Sequence, residues 1–217
     1  MMELQNKELS EFEIVQRVIS GEKALYELIV RRFNPHLYKV GRAYNYNHED
    51  TQDLMQDSFV DAYKNLAQFE NRSSFKTWII RIMMNNCYQK REKFSFKNET
   101  SQLIHENDLP MFTKSNTDTN AAIHQREIAQ IIETALAKIP ENYRVVFSLR
   151  EINELSVVET AYLLGISPTN VKVRLNRAKS MLRDEIEKSY SAKEMFEFNA
   201  IYCNAITTRV MNAIDEL

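Results

Sequence analysis

Apolar residues recur at helical spacing through most of this chain, and they set its expected elements. Phe12, Val15, Val18 and Ile19 form one such stripe, and Leu25, Leu28, Ile29 and Phe33 form another. Gly21 interrupts the first helix, and Asn34-Pro35 marks a break or a fresh helix start. A further helix opens near Asn47, with Asp50 completing a capping-type pair, and carries Leu54, Met55, Phe59, Ala62, Tyr63 and Leu66. After Ser73-Ser74 another helix runs to about Arg91, with Phe75, Ile79, Ile82, Met83 and Asn86 on its inner face.

From Phe94 to Asn120 the period disappears. Ser, Thr, Asn and acidic residues dominate around Pro110, a composition expected of a linker. Helix resumes at Ala121 on the stripe Ile128, Ile131, Ile132, Ala135, Leu136 and Ile139, and Pro140 ends it. Tyr143 to Ile152 reads as the next helix.

The segment from Leu155 onward has the strongest local grammar. Ser156 and Glu159 form an S-x-x-E capping box. Ala161 is small enough for a close helix crossing, and Gly165 supplies a left-handed turn. Ile166 fills the angle between two helices, and Ser167-Pro168 gives an N-cap followed by proline at the first helical position. Together these predict a helix-turn-helix. In its second helix Val171, Leu175, Ala178 and Leu182 point inward, while Lys172, Asn176, Lys179 and Arg183 point roughly the other way. Thr169, Asn170, Arg174 and Arg177 lie at its N-terminal end or on its flanks, where such residues reach base edges and phosphates in a major groove. A merely solvated basic face is the plainer alternative, and the register of cap, small residue, glycine and proline argues against it.

Charge sharpens this picture. The net formal charge of the 217 residues is -2, which disfavours a simple DNA-coating protein, but the charges are segregated. Residues 49–61 contain acids and no Lys or Arg, whereas residues 165–183 contain bases and no acid. Asp50, Asp53, Asp57 and Asp61 form an acidic helical stripe with Gln56 beside it, which suits a basic partner as well as it suits plain solvation. In the following helix Trp78 and Tyr88 are interleaved with Lys76, Arg81, Asn85, Asn86, Lys90 and Arg91, a mixture fit for unpaired bases, although Trp78 equally suits a core.

Scarce glycine and proline predict an all-α protein. Cys87 and Cys203 make no CxxC or Cys/His cluster, so no metal or other cofactor is expected, and a reducing cytoplasmic setting is. The polar, acidic N-terminus does not read as a secretory signal, and no apolar run is long enough to insert in a membrane. Four scattered histidines and no phosphate-binding glycine loop leave no catalytic set and no small-molecule substrate site in view.

The two halves together resemble a bacterial sigma factor of the extracytoplasmic-function (ECF) type. DLMQDSFVDAYKNLAQFENRSSFKTWIIRIMMNNCYQKREK resembles the family's region two, and IPENYRVVFSLREINELSVVETAYLLGISPTNVKVRLNRAKSMLRDEI resembles region four. The likeness spans roughly residues 22–93 and 124–188. It implies a non-catalytic initiation subunit that partners core RNA polymerase, through the β′ clamp helices and the β subunit, and promoter DNA. On this chain it places clamp binding on Asp53, Gln56 and Asp57. Minus-ten recognition falls on the loop Gln68–Ser74 and on Trp78, Arg81, Asn85 and Asn86. Minus-thirty-five recognition falls on Thr169, Asn170, Lys172, Arg174, Arg177 and Lys179. The linker would thread toward the polymerase active-site cleft, and an anti-sigma partner is expected of the family.

The expected architecture is therefore two small helical domains, a region 2-like bundle at 10–93 and a region 4-like helix-turn-helix at 121–188. A polar linker at 94–120 joins them, and a C-terminal helical extension follows at 189–217. The extension, with Cys203, Ile206, Val210 and Ile214 on one stripe, departs from the family's usual ending. It is expected to pack on the second domain or to receive a partner. Three alternatives remain open on residues alone. They are a free-standing helix-turn-helix regulator, a protein-interaction adaptor whose basic helix meets an acidic protein, and a DNA recombinase, for which no nucleophile with clustered arginines is evident.

Overall fold

A computed structural model of the chain describes residues 9–97, 119–189 and 200–215. Nine α-helices are described: α1 (Glu11–Ile19), α2 (Tyr26–Ala43), α3 (His48–Lys64), α4 (Phe75–Lys97), α5 (Thr119–Lys138), α6 (Glu141–Phe147), α7 (Val157–Leu164), α8 (Pro168–Ser189) and α9 (Ala200–Asp215). Among the described residues there is no strand.

Local sequence dictates several of the helix ends. The Ser10 hydroxyl accepts from the Glu13 N–H, and the Glu13 carboxylate answers at the Ser10 N–H, so α1 opens on a capping box. Asn47 caps α3 by accepting the Asp50 N–H at 2.8 Å. Removing a cap of this kind costs about 1 kcal/mol.

The first half is a bundle of α1–α4. α4 lies at its centre: Phe75, Ile79, Ile80, Met83, Met84 and Cys87 are all buried on it. Burial therefore extends beyond the single inner face expected, to Ile80 and Met84, and Ile82 is only partly covered. Gly41 lets α2 and α3 cross closely, since a Cβ there would sit 2.6 Å from the Thr51 methyl. Conversely, Phe12 and Ile19 on α1 are about half exposed (50% and 46%), so only Ile14, Val15 and Val18 serve its core.

Three expected boundaries change. Asn34-Pro35 is no break, because α2 runs unbroken from Tyr26 to Ala43 with Pro35 inside it. Arg31 and Pro35 are both exposed, so the carbonyl that loses its donor faces solvent and the cost of an internal proline is reduced. The expected helix from Tyr143 to Ile152 is instead α6, ending at Phe147, followed by a wider π-type turn over Ser148–Ile152. The interval read as linker is shorter than 94–120, with α4 reaching Lys97 and α5 beginning at Thr119; residues 98–118 lie outside the described residues.

The two halves share one interior. Val145, Leu149 and Leu155 belong to the same buried cluster as the core of α1–α4, and Leu163 and Leu164 pack against it. Polar groups fasten the seam. Arg42 on α2 donates from Nε and Nη2 to one oxygen of Glu133 on α5, at 2.8 and 2.6 Å, with both side chains buried. Arg144 on α6 donates to the carbonyls of Ala43, Ala137 and Ile139, joining the C-terminal ends of α2 and α5. Burial lowers the pKa of its guanidinium from the usual value. His36 and Asn153 are hydrogen-bonded at 2.9 Å, and Ser148 donates to the Lys39 carbonyl.

Of the two arrangements expected of the extension, packing on the second domain is not seen at residues 206–214. α9 forms, but its residues 206–214 are all exposed, including Ile206, Val210 and Ile214; the Cys203 side chain lies outside what is described.

Candidate nucleic-acid interface

The helix-turn-helix forms as its sequence dictates. Ser156 accepts from the Glu159 N–H, and Glu159 Oε2 accepts from the Ser156 N–H at 2.8 Å. Gly165 is left-handed at φ +62°, and the Ile166 N–H reaches back to the Ala161 carbonyl at 3.1 Å, closing the C-terminal end of α7. Ser167 then caps α8 by accepting the Asn170 N–H. Val171 and Ala178 are fully buried, and Val171, Leu175 and Ile166 pack with Val146 and Ala161. This fixes which side of α8 looks outward.

That outward side is cationic. Thr169, Lys172, Arg177 and Lys179 are exposed, and Asn170 and Arg174 are partly buried. Arg174 Nε donates to Asn170 Oδ1 at 3.1 Å, which pre-orients both side chains one turn apart. Arg177 donates to the Tyr143 hydroxyl at 3.3 Å, and Lys179 pairs with Glu151 at 3.0 Å. An exposed pair of the latter kind is worth less than about 1 kcal/mol, so a phosphate can displace it.

The acidic stripe on α3 divides in two. Asp50 accepts from Lys90 Nζ at 2.5 Å, and Asp61 accepts from the Asn86 amide at 3.2 Å, so the ends of the stripe serve the bundle. Asp53, Gln56 and Asp57 between them are exposed, and they form a compact carboxylate face with exposed Val60 beside it.

The proposed minus-ten residues on α4 sit in different environments. Trp78 is partly buried in an aromatic triangle with Phe69 and Phe75, each ring centroid 5.2–5.3 Å from the next. The triangle anchors the Gln68–Ser74 loop to α4. Asn85 is exposed. Asn86 spends its amide on Ser58 and Asp61, which makes it a brace between α3 and α4. Arg81 is exposed, yet its guanidinium donates to the Tyr162 hydroxyl and stacks over that ring at 5.1 Å. Sequence reasoning missed Tyr162, Thr77, Arg42, Glu133 and Arg144. They act across the seam between the halves, and no local spacing could pair them.

Cys87 is fully buried, and desolvation pushes its thiol up to about 12, so it behaves as a core residue. Among the described residues no group of His, Cys, Asp and Glu is placed to hold a metal, and no helix is long and apolar enough to cross a membrane.

Comparison with known proteins agrees with this layout. The sigma-70 region 2 family model matches residues 29–94, and the sigma-70 region 4 model matches residues 129–182. The chain is 26% identical to the ECF RNA polymerase sigma factor SigW of Bacillus subtilis (strain 168) over 176 residues, covering 79% of this chain and 94% of that protein. It is 23% identical to the ECF RNA polymerase sigma-E factor of Haemophilus influenzae (strain ATCC 51907 / DSM 11121 / KW20 / Rd) over 185 residues, covering 83% of this chain and 97% of that one. Among solved structures, CnrH in complex with the cytosolic domain of CnrY aligns with a TM-score of 0.57 at 22% identity, covering 82% of this chain and 97% of that one. The sigma factor RpoE in complex with the anti-sigma factor NepR from Bartonella quintana aligns with a TM-score of 0.59 at 20% identity, covering 75% of this chain and 96% of that one. Two matched regions in the right order, together more than half of the chain, place it in the sigma-70 family of RNA polymerase sigma factors, as a member of the ECF type.

Proposed function

We propose that this ECF sigma factor directs core RNA polymerase to its promoters through three separate surfaces. Asp53, Gln56 and Asp57 on α3 dock on the polymerase clamp. Trp78, Arg81 and Asn85 on α4, with the Gln68–Ser74 loop, receive bases of the opened minus-ten element, and Asn86 holds α4 in place for them. Thr169, Asn170, Lys172, Arg174, Arg177 and Lys179 on α8 read the minus-thirty-five duplex. The observation that carries this reading is the coexistence, on one chain, of an exposed carboxylate face on α3 and an exposed cationic face on α8.

The physical division of labour follows. Polymerase performs the chemistry, and this chain supplies address and strand capture without a catalytic step of its own. Each Lys or Arg that meets a phosphate releases close to one counterion, so duplex binding by α8 weakens steeply with salt. Capture of unpaired bases on α4 offsets the unstacking cost of about a few kcal/mol per flipped base. The setting is the bacterial cytoplasm, where the polymerase and promoters are, and an anti-sigma protein is the expected regulatory partner.

In vitro transcription with purified core polymerase over genomic fragments tests the proposal. Discrete transcripts that appear only when this chain is added are expected. A transcript pattern unchanged by the chain would reject it.

A further inference from the structure

We propose that Tyr143, on α6, is a phosphate-contacting residue of the duplex interface, its hydroxyl forming with Arg177 a two-donor clamp on the DNA backbone. The inference rests on the reading of α8 as the duplex-binding helix and adds to it a contact from outside that helix.

The clamp is built from two helices. Arg177 Nη1 on α8 donates to the Tyr143 hydroxyl at 3.3 Å. A phenol hydroxyl has a proton to give as well as lone pairs to accept with. Tyr143 accepts from Arg177 and keeps its own proton, and among the described residues nothing accepts that proton. Arg177 is exposed and commits a single donor of its fork to the contact. Two donor groups 3.3 Å apart, one neutral and one charged, can each meet one unbridged oxygen of the same phosphate.

Tyr143 is held in place by the residues that follow it. Arg144, Val145 and Val146 are all buried. The Arg144 guanidinium is tied to the Ala137 and Ile139 carbonyls, and Val146 packs with Val171 and Ala161 in the core of the helix-turn-helix. The backbone that carries Tyr143 is thus fixed against α8 before DNA arrives, and little ordering entropy is left to lose on binding.

The surroundings favour an anion. Residues 165–183 contain no acid. Glu141 lies two positions from Tyr143, but its carboxylate is engaged by Arg91 on α4. Lys179 is paired with Glu151 at 3.0 Å, a carboxylate that a phosphate has to displace. Arg177 has a neutral partner instead, so its charge stays uncompensated and the hydroxyl beside it adds no repulsion. Where a reading helix lies in a major groove, the elements packed beside it meet the sugar-phosphate backbone. α6 is such an element, because Val146 seats it on Val171 of α8.

The test uses the full chain and a labelled mixed-sequence DNA duplex of about two helical turns, since a phosphate contact does not depend on sequence. Affinity is measured by fluorescence anisotropy at several salt concentrations. Tyr143→Phe keeps the ring and removes only the hydroxyl, and its circular dichroism spectrum and melting midpoint should match those of the unaltered chain. Its affinity should fall about tenfold, the loss expected of a hydrogen bond to a charged group. The slope of log affinity against log salt should not change, because a neutral donor releases no counterion, whereas Arg177→Ala should make it shallower by about 1. In the Arg177→Ala background the same Tyr143→Phe change should cost less, though still a measurable amount, as for two groups that share one phosphate. Equal affinity of Tyr143→Phe and the unaltered chain overturns the proposal. So does a loss that vanishes in the Arg177→Ala background, which would reduce Tyr143 to a prop for the arginine, or a loss undiminished there, which would deny a shared phosphate. The expected losses without promoter-specific transcription by polymerase would leave the clamp standing and reject the sigma-factor reading; transcription with equal affinities would reject the clamp alone.

Discussion

Arg42 and Glu133 meet in the interior 91 residues apart in sequence, and their ion pair joins α2 of region 2 to α5 at the entrance to region 4. Both side chains are almost fully removed from water, at 1% and 10% exposure. Breaking a buried ion pair by removing one partner costs about 3–5 kcal/mol. Glu133→Ala should remove that much from the packing of the two halves on each other. Thermal unfolding followed by calorimetry should split from one transition into two as the halves uncouple. A single transition at the original midpoint would show that the pair contributes nothing.

The exposed carboxylates on α3 yield a second prediction. Asp53→Lys with Asp57→Lys changes only surface side chains, so the circular dichroism spectrum and melting midpoint should be preserved. Association with core polymerase in a pull-down should be lost. Retained association would move the docking face elsewhere on the molecule.

For α8 the expected signature lies in salt dependence as much as in affinity. Replacing Lys172 and Arg174 by Ala should weaken binding to the cognate promoter duplex. The slope of log affinity against log salt should become shallower by about 1 for each cation withdrawn from a phosphate. The Arg174 change also frees Asn170 from its hydrogen-bond partner, so the loss should be base-dependent. Binding isotherms at several salt concentrations with matched and mismatched duplexes would separate the two effects.

Acidification should loosen the seam. Burial lowers the His36 pKa below its ordinary value, with Lys76 and Lys39 adding to the effect and the Asn153 hydrogen bond opposing it. The folded chain therefore holds His36 neutral where the unfolded chain would take a proton. Its contribution to stability is complete above pH about 6.5 and declines as pH falls through and below that value. Melting midpoints should drop between about pH 7 and pH 5.5, and His36→Gln should flatten that part of the profile. An unaltered slope in the variant would assign the pH response to other groups.

The features legible in the sequence are those enforced locally. Ser156, Glu159, Gly165, Ser167 and Pro168 lie within thirteen positions of one another, and each satisfies a backbone requirement that few other residues meet. The acid stripe on α3 is equally visible, since helical spacing alone places Asp53 and Asp57 on one face. What escapes is tertiary. Pro35 looks like a break because its effect depends on which side of α2 faces solvent. Ile80 and Met84 look peripheral because α4 is enclosed by neighbours on more than one face. The hydrogen bonds of Arg81, Thr77 and Arg144 join segments 81, 82 and 101 residues apart, so chain periodicity carries no trace of them.

Arg144 gives the seam its discreteness. A guanidinium is flat, and its donors leave it in fixed directions, so three carbonyls from the ends of two helices can be satisfied in only one seating. Rotating one half against the other breaks the bond to Ala43, the one of the three that crosses the seam, and leaves a buried Nε–H without its acceptor, while Ala137 and Ile139 move with Arg144. That joint should therefore behave as a catch, engaged while the Ala43 carbonyl is met and released once it is not, with no stable half-turned position.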